Sequence, residues 1–298
     1  MSGGYIAQQI VNGFILGSMY ALVAIGFSMI YGIVRLINFA HGDVVMIGAF
    51  VTLGLLKMVE APLPLVVLVV LAAGAMVGIL IEKGAFRPMR GAPQVTGFIA
   101  SLAVSIMLQN LGVLLLTAQP RNFTFPEYMQ KMLNIGQVSF RVIDLVIILS
   151  ALILMCGLML LVNKTRLGMA MRATAENIDV ARLMGININR TIMAAFAMGS
   201  ALAAIAGLMW GGKYGQIDPL LGYVPGLKSF VAAVIGGVGS IPGAILGGYI
   251  LGLSEVLFVG LLPPVYAVFR DAFVFSTLIF ILLVLPNGIL GKKIEERA

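Results

Sequence analysis

The chain has 298 residues, of which 60% are hydrophobic and only 10% charged, with a mean hydropathy of +1.07 and a formal net charge of +7. A soluble domain carries about 25% charged residues, so this composition excludes a soluble protein and indicates an integral membrane protein. One cysteine and one histidine exclude a disulfide framework and the usual zinc or copper ligand sets, and the basic surplus reports membrane topology rather than a nucleic acid partner.

Nine apolar segments follow one another along the chain, and about 20 apolar residues are needed to cross a bilayer as a helix. The segments cover residues 10–34, 44–59, 63–81, 97–117, 142–162, 192–210, 230–238, 244–262 and 265–285. The piece at 230–238 is too short to cross alone and predicts a half-helix or re-entrant helix. The sequence therefore predicts an all-α integral membrane protein with about eight transmembrane helices plus a short or broken helix, in a single polytopic transmembrane domain at residues 1–298.

Lysine and arginine cluster in three connections, which the positive-inside rule places in the cytoplasm. Together with Arg35, these connections hold twelve of the nineteen basic residues: Arg35, Lys83, Arg87, Arg90, Lys164, Arg166, Arg172, Arg182, Arg190, Lys292, Lys293 and Arg297. The N-terminus is then outside and the C-terminus inside, which requires an odd number of crossings. The short piece at 230–238 must count as one of them.

The first polar interruption is the heptapeptide Ile-Asn-Phe-Ala-His-Gly-Asp at residues 37–43. Irregular backbone inside a bilayer survives only against protein or a water-lined cavity. Asp43 falls at the start of the next helix, where a carboxylate caps free N–H groups and meets the positive end of the helix dipole. Two readings stay open: an ordinary inside loop with a capping Asp43, or a discontinuous helix that lines a translocation pathway with Asn38, His41 and Asp43.

A glycine-rich interruption follows at residues 236–243, and its glycines continue at a four-residue spacing in Gly239, Gly243 and Gly247. No Gly-Lys-Ser/Thr run ends it, so it is not a phosphate-binding loop. The spacing favours close approach of helix backbones over direct contact with a substrate.

Two further features bear on transport. Residues 48–55 loosely echo residues 247–253, which agrees either with two pseudo-repeated halves that divide near Arg141 or with a chance match between glycine-rich segments. Glu255 is the most isolated acid inside a predicted span. An ionisable group at membrane depth is a candidate for the translocation pathway, and the alternative is that Glu255 reaches the outer interface. No arrangement of residues predicts catalysis, so the sequence does not indicate an enzyme.

The inner loop at residues 163–191 reads NKTRLGMAMRATAENIDVARLMGININRT. Asp179, Val180 and Ala181 followed by Gly185 are similar to the Glu-Ala-Ala-x-x-x-Gly core in the cytoplasmic loop of ABC importer permeases, although the Ile-x-Leu-Pro ending is absent. Residues 12–43, NGFILGSMYALVAIGFSMIYGIVRLINFAHGD, and residues 233–248, AVIGGVGSIPGAILGG, extend the likeness. From about residue 6 to residue 290, the chain resembles the LivH-type permease of bacterial high-affinity branched-chain amino acid ABC importers.

The resemblance implies a multi-pass subunit of the bacterial inner membrane that moves branched-chain, hydrophobic amino acids inward. Its implied partners are a LivM-like second permease, two cytoplasmic ABC ATPase subunits and a periplasmic substrate-binding protein, beside membrane lipid. The chain itself then needs no cofactor, because ATP and Mg bind to the ATPases. Related permeases carry urea or short amides, and an ion-coupled secondary amino acid transporter is the alternative from another class.

Within the cytoplasmic coupling loop at 163–191, we expect one coupling helix over residues 175–185 that docks on an ATPase. The residues assigned to coupling are Ala175, Glu176, Asp179, Ala181, Arg182 and Gly185. Met171 and Met184 are expected to fill an apolar groove of the ATPase, while the charged residues set the register.

Overall fold

The computed structural model describes residues 3–58 and 62–291, and it consists almost entirely of helices. In chain order the helices are α1 (Gly3–Val34), α2 (His41–Met58), α3 (Leu63–Ile81), α4 (Gln94–Leu116), α5 (Glu127–Gln130), α6 (Val142–Lys164), α7 (Arg166–Glu176), α8 (Ile178–Leu183), α9 (Ile188–Tyr214), α10 (Tyr223–Gly236), α11 (Ile241–Leu261) and α12 (Arg270–Val284). A π-helical segment, Glu82–Phe86, extends α3, and a 3-10 segment, Pro264–Phe269, leads into α12. The strands are β1 (Arg121–Asn122), β2 (Met132–Ile135), β3 (Val138–Arg141) and β4 (Gln216–Ile217), which pair antiparallel as β1 with β4 and β2 with β3.

Eight of the helices in the described residues are long and apolar enough to cross a membrane, which confirms the predicted all-α membrane fold. The main difference at the start is that α1 begins at Gly3 rather than at residue 10. Gln8 explains the extension, because its side chain donates to Ser139 O over 2.9 Å and accepts from Ser139 N over 2.8 Å. Residue 59, the end of the second predicted span, and the basic residues of the tail lie outside the described residues.

The helices are buried to very different extents. Of the most apolar stretch of α1, 94% is buried, against 17% for α4 and 6% for the span that ends with α12. Since α1 packs against α9, α10 and α11, these helices form the centre of the bundle. Helices α4 and α12 lie at its periphery and present apolar side chains outward.

The predicted glycine packing explains how α10 and α11 fit together. A Cβ on Gly236 would lie 1.9 Å from Gly243 O, and one on Gly247 would lie 2.0 Å from Ala232 O. No side chain fits at such separations. The two helices therefore pair through backbone contact along this glycine-rich stretch.

The bundle has two ends that the connections define. We call the end that carries α7 and α8 the α7–α8 end, and the end that carries the β2–β3 pair the hairpin end. Helix α9 runs from the α7–α8 end to the hairpin end, where Gly215 O accepts from Phe123 N. Residues 215–236 then lead back to the α7–α8 end, where Gly239 contacts Gly32 near the end of α1. The short helix α10 thus completes one crossing together with the non-helical residues before it.

Candidate functional site

The polar interruption at residues 37–43 leads the chain back into the middle of the bundle. Helix α1 ends at Val34, residues 35–38 have no regular structure, and α2 begins at His41. A Cβ on Gly26 would lie 2.4 Å from His41 Nε2 and 3.0 Å from Gly199 O. Because Gly199 lies near the midpoint of α9, α2 starts close to mid-depth rather than at the α7–α8 end.

Helix α10 begins beside the start of α2. A Cβ on Gly222 would lie 2.1 Å from Gly42 O, and one on Gly226 would lie 2.7 Å from Gly42 Cα. From this shared level α2 runs towards the hairpin end and α10 towards the α7–α8 end. The amino ends of two helices therefore meet at mid-depth, where their dipoles both present partial positive charge.

A cavity of about 40 Å³ lies at this junction. Its walls are mainly apolar and aromatic, with Asp43, Ser105 and Gln109 as polar side chains; the lining residues are Phe27, Phe39, Gly42, Asp43, Leu102, Ser105, Gln109, Gly222, Tyr223, Gly226, Leu227 and Phe230. A cavity of this kind needs about 10–15 Å³ to hold one water molecule, so this cavity has room for about three.

Asp43 is the charged residue of this cavity, and its side chain is held from helix α4. Gln109 Nε2 donates to Asp43 Oδ1 over 3.0 Å and to Ser105 Oγ over 3.1 Å. By distance and angle, Asp43 Oδ2 accepts no hydrogen bond, although Ser105 lies nearby. Asp43 was predicted at the start of α2, and it does lie in the first turn of that helix, at the positive end of the dipole; its carboxylate contacts Gln109 of α4.

The other predicted pathway residues lie elsewhere. Asn38 and His41 are 1% and 0% exposed, and neither lines the cavity. The His41 ring packs edge-on against Phe27 with ring centroids 4.7 Å apart, in the space that Gly26 leaves open. Sequence reasoning missed Ser105 and Gln109, whose four-residue spacing with Ser101 was the available signal of a polar stripe on α4.

Glu255 is not isolated, which corrects the sequence-based description. Lys228 Nζ donates to Glu255 Oε1 over 2.7 Å, Tyr20 Oη donates to Oε2 over 3.0 Å, and Arg270 Nε lies 3.1 Å from Oε1. Lys228 Nζ also lies 2.7 Å from Asp271 Oδ1. We call these five residues the ion network; it joins α1, α10, α11 and α12 and balances two positive with two negative charges.

Helix α10 separates the ion network from the cavity. Gly226, Leu227 and Phe230 face the cavity, whereas the Lys228 side chain, 3% exposed, points to Glu255 on the other side. Sequence reasoning missed Lys228 because its partner lies 27 residues away. A charged lysine at membrane depth was nonetheless a visible signal of function or pairing.

The expected single helix at residues 175–185 is two helices. Asn177 interrupts it because its side chain accepts from Asp179 N and Val180 N and so caps α8. Ala175 and Glu176 consequently end α7, while Asp179, Ala181 and Arg182 belong to α8. Gly185 follows α8 with φ +80° and donates from its N–H to Arg182 O, which ends the helix.

The apolar residues of this loop divide into a buried and an exposed set. Met171 and Ala181 are 3% and 2% exposed, so the expectation that Met171 fills a partner's groove is wrong. By contrast, Val180, Leu183 and Met184 are 54%, 87% and 77% exposed. We call these three residues the α8 tip; they form an apolar projection beside the exposed ion pair of Asp179 and Arg182.

A larger cleft of about 530 Å³ opens beside α8 at the α7–α8 end. Arg35, Arg90 and Arg182 line it, and the Arg90 guanidinium donates to the Glu82 carboxylate and to the Asn189 side-chain oxygen. Burial lowers the pKa of Arg90, and the charge of Glu82 partly offsets this effect. The cleft thus presents positive charge next to the α8 tip.

No group of three His, Cys, Asp or Glu side chains comes close enough to hold a metal ion within residues 3–58 and 62–291. At membrane depth, the polar side chains described above lie in two places: the cavity of Asp43 and the ion network.

Comparisons with known proteins cover nearly the whole chain. A family model described as the permease component of branched-chain amino acid transport systems matches residues 9–285. The chain is 41% identical to the high-affinity branched-chain amino acid transport system permease protein BraD of Pseudomonas aeruginosa, with 97% of each chain covered. It is 39% identical to the corresponding LivH proteins of Escherichia coli K12 and of Salmonella typhimurium, with 98% of each chain covered. A search of solved structures gave no significant match.

Proposed function

The chain belongs to the family of permease components of branched-chain amino acid transport systems, and from this premise we propose that it is the transmembrane permease subunit of an ABC importer for branched-chain amino acids. Its partners in this proposal are a second, LivM-like permease, two ABC ATPases and a substrate-binding protein. Hydrolysis of ATP on the ATPases drives transport, and this chain provides part of the pathway without catalysing a reaction.

The observation that carries the proposal is the α8 tip. Exposed apolar residues on a short, firmly capped helix mark an interaction site, and a helix that lays apolar anchors into a groove is a common way to dock on another protein. Leu183 and Met184 are the anchors, and the charges of Asp179 and Arg182 set their register. Movement of the ATPase is thereby passed to α7, which packs on α1, α6 and α9.

Charge supports one orientation of the subunit. Nine arginines and lysines lie in the described residues of the α7–α8 end: Arg35, Lys83, Arg87, Arg90, Lys164, Arg166, Arg172, Arg182 and Arg190. Basic residues mark the cytoplasmic side of a membrane protein. We therefore place the α7–α8 end in the cytoplasm and the hairpin end in the periplasm, in the inner membrane of a bacterial cell, with the N-terminus periplasmic and the C-terminus cytoplasmic.

The first test is to capture this subunit from gently solubilised native membranes and to identify the chains that accompany it. We expect a second permease and two ABC ATPases. Recovery of the chain alone, under conditions that keep other ABC complexes intact, would contradict the proposal. Uptake that survives loss of the membrane potential separates an ATP-driven importer from an ion-coupled transporter, and competition by leucine, urea and short amides separates the possible cargoes.

The second test addresses the α8 tip. The double variant L183S/M184S removes apolar anchors that are already exposed, so we expect it to insert in the membrane normally. The ATPases should co-purify poorly, and ATP hydrolysis stimulated by the loaded binding protein should fall at least tenfold. M132S, which replaces a methionine that is 61% exposed at the hairpin end, is the matched control. Wild-type stimulation in the double variant would remove α8 from the coupling role.

A further inference from the structure

The cavity of Asp43 lies just behind the surface of the subunit, between α4 and α10. Tyr223, on its wall, is 55% exposed, and Gln109 on α4 is partly exposed. Ser101, Ser105 and Gln109 follow one another every four residues, so they lie on one face of α4. Ser101 and Ser105 are buried, at 0% and 8% exposure, so the polar face of α4 is turned towards Asp43. Gln109 is the member of the stripe that reaches the surface.

A carboxylate held just behind a partly exposed glutamine does not suit a surface in contact with lipid. An ionised carboxylate at membrane depth is costly and is found facing a protein interior or a water-filled cavity, and non-helical backbone like that before α2 is tolerated only in the same places. Asp43 is 2% exposed, has no cationic partner within salt-bridge distance in the described residues, and keeps Oδ2 without a hydrogen bond. We infer that the surface between α4 and α10 faces the permeation pathway rather than the acyl chains.

The chemistry of the cavity selects a cation. Asp43 offers a carboxylate oxygen with free lone pairs, and Phe27, Phe39 and Phe230 place aromatic rings around the same space. Carboxylates and aromatic faces both attract ammonium groups. A cavity of about 40 Å³, with room for about three water molecules, accepts an ammonium group. The amino ends of α2 and α10, which line the same cavity, suit the carboxylate of the same cargo molecule.

We propose that this cavity receives the α-ammonium group of the amino acid cargo, with Asp43 as its anionic ligand and Gln109 as the residue that positions Asp43. The proposal rests on the proposed function, since it concerns the cargo of that transporter. The apolar side chain of the cargo then stays in the pathway between the two permeases, where shape rather than charge discriminates it. A single ammonium subsite is compatible with leucine, isoleucine and valine alike.

The decisive experiment uses the complete complex with its binding protein, reconstituted in liposomes. D43N keeps the shape of the side chain and its bond from Gln109, so the complex should assemble. We expect leucine uptake to fall at least tenfold while the binding protein's affinity for leucine is unchanged. S150A, on α6, where the hydroxyl only bonds within its own helix, is the control and should transport normally. Wild-type uptake by D43N would overturn the subsite.

The outcome for the wild-type complex separates this inference from the proposed function. If the wild type shows no ATP-dependent leucine uptake, the importer assignment fails. If the wild type transports and D43N transports equally well, the importer assignment stands and the ammonium subsite fails.

A second measurement does not depend on uptake. The S105C variant, made in a C156S background, is treated separately with a cationic reagent, aminoethyl methanethiosulfonate, and an anionic reagent, sulfonatoethyl methanethiosulfonate. The rate of thiol modification by each reagent is measured. We expect the cation to react at least tenfold faster, and D43N to abolish this preference. The unaltered protein, whose only thiol is the exposed Cys156 on α6, is expected to be unreactive because that surface faces lipid. Equal rates with both reagents, or no reaction at S105C, would show that the cavity is not a cation site on the pathway.

Discussion

Lys228 holds the centre of the ion network, and its replacement by methionine tests how much that network stabilises the subunit. K228M keeps the length of the side chain but removes the charge that pairs with Glu255 and Asp271. Removing one partner of a buried ion pair costs about 3–5 kcal/mol, because the remaining charge is left uncompensated. Arg270 stays within 3.1 Å of Glu255, so we expect the lower end of that range, about 3 kcal/mol.

For a chain of this size, about 1 kcal/mol corresponds to roughly 2–4 °C in melting temperature. K228M should therefore melt about 6–12 °C below the wild type in detergent. Trp210, the only tryptophan of the chain, reports the change, because it contacts Tyr20 with ring centroids 5.6 Å apart and Tyr20 donates to Glu255. Its fluorescence during heating is a direct probe of the network.

The double variant K228M/E255Q supplies the control. It removes the two buried charges together and leaves Arg270 and Asp271 to pair with each other at 3.7 Å. We expect it to regain at least half of the stability that K228M loses. Two results would show that Glu255 and Lys228 do not compensate each other. Either K228M has the same melting temperature as the wild type, or the double variant has a melting temperature as low as that of K228M.

The remaining predictions concern backbone contacts and the α8 segment. G48L should prevent the subunit from folding, because a Cβ there would lie 2.1 Å from Ala204 O, whereas G54L in the same helix meets open space and should express normally; size-exclusion chromatography in detergent separates these outcomes. N177A removes the side chain that caps α8 and should cost about 1 kcal/mol locally, which reduces ATPase stimulation, and N177D should restore it. G185A forces a left-handed φ of +80° on alanine at a cost of about 1 kcal/mol, so it should weaken stimulation more than G185N does; equal stimulation in both would contradict the strain argument.

Hydropathy predicted most of the fold because the bilayer requires long apolar helices, and eight of them appear where the apolar segments lie. The boundaries that failed have polar causes. Helix α10 reaches back to Tyr223, beyond the predicted start at 230, through Lys228, a residue that reads as a break until its buried partner Glu255 is known. Such pairing between distant helices is tertiary, so the sequence shows the lysine but not its partner.

The loop at residues 163–191 shows the same limit at a smaller scale. No glycine or proline interrupts residues 169–184, yet Asn177 divides them, because an asparagine side chain competes for the N–H groups of the next turn. The sequence pattern also predicted both Met171 and Met184 as docking residues, with nothing to distinguish them. Only packing against the rest of the subunit decides that the first is core and the second is free to bind.

The contact between Gly42, Gly222 and Gly226 has no interlocking side chains, so α10 can tilt against α2 at this point. Interlocked side chains would have to change rotamer before one helix could move along the other, whereas here backbone lies on backbone over a surface without side chains. Helix α10 has 14 residues and spans about 21 Å, so a small tilt about this contact displaces its far end, at the α7–α8 end, several times further than its near end. On the opposite side of α10, Lys228 is paired with Glu255 and Asp271, so the ion network is what opposes such a tilt.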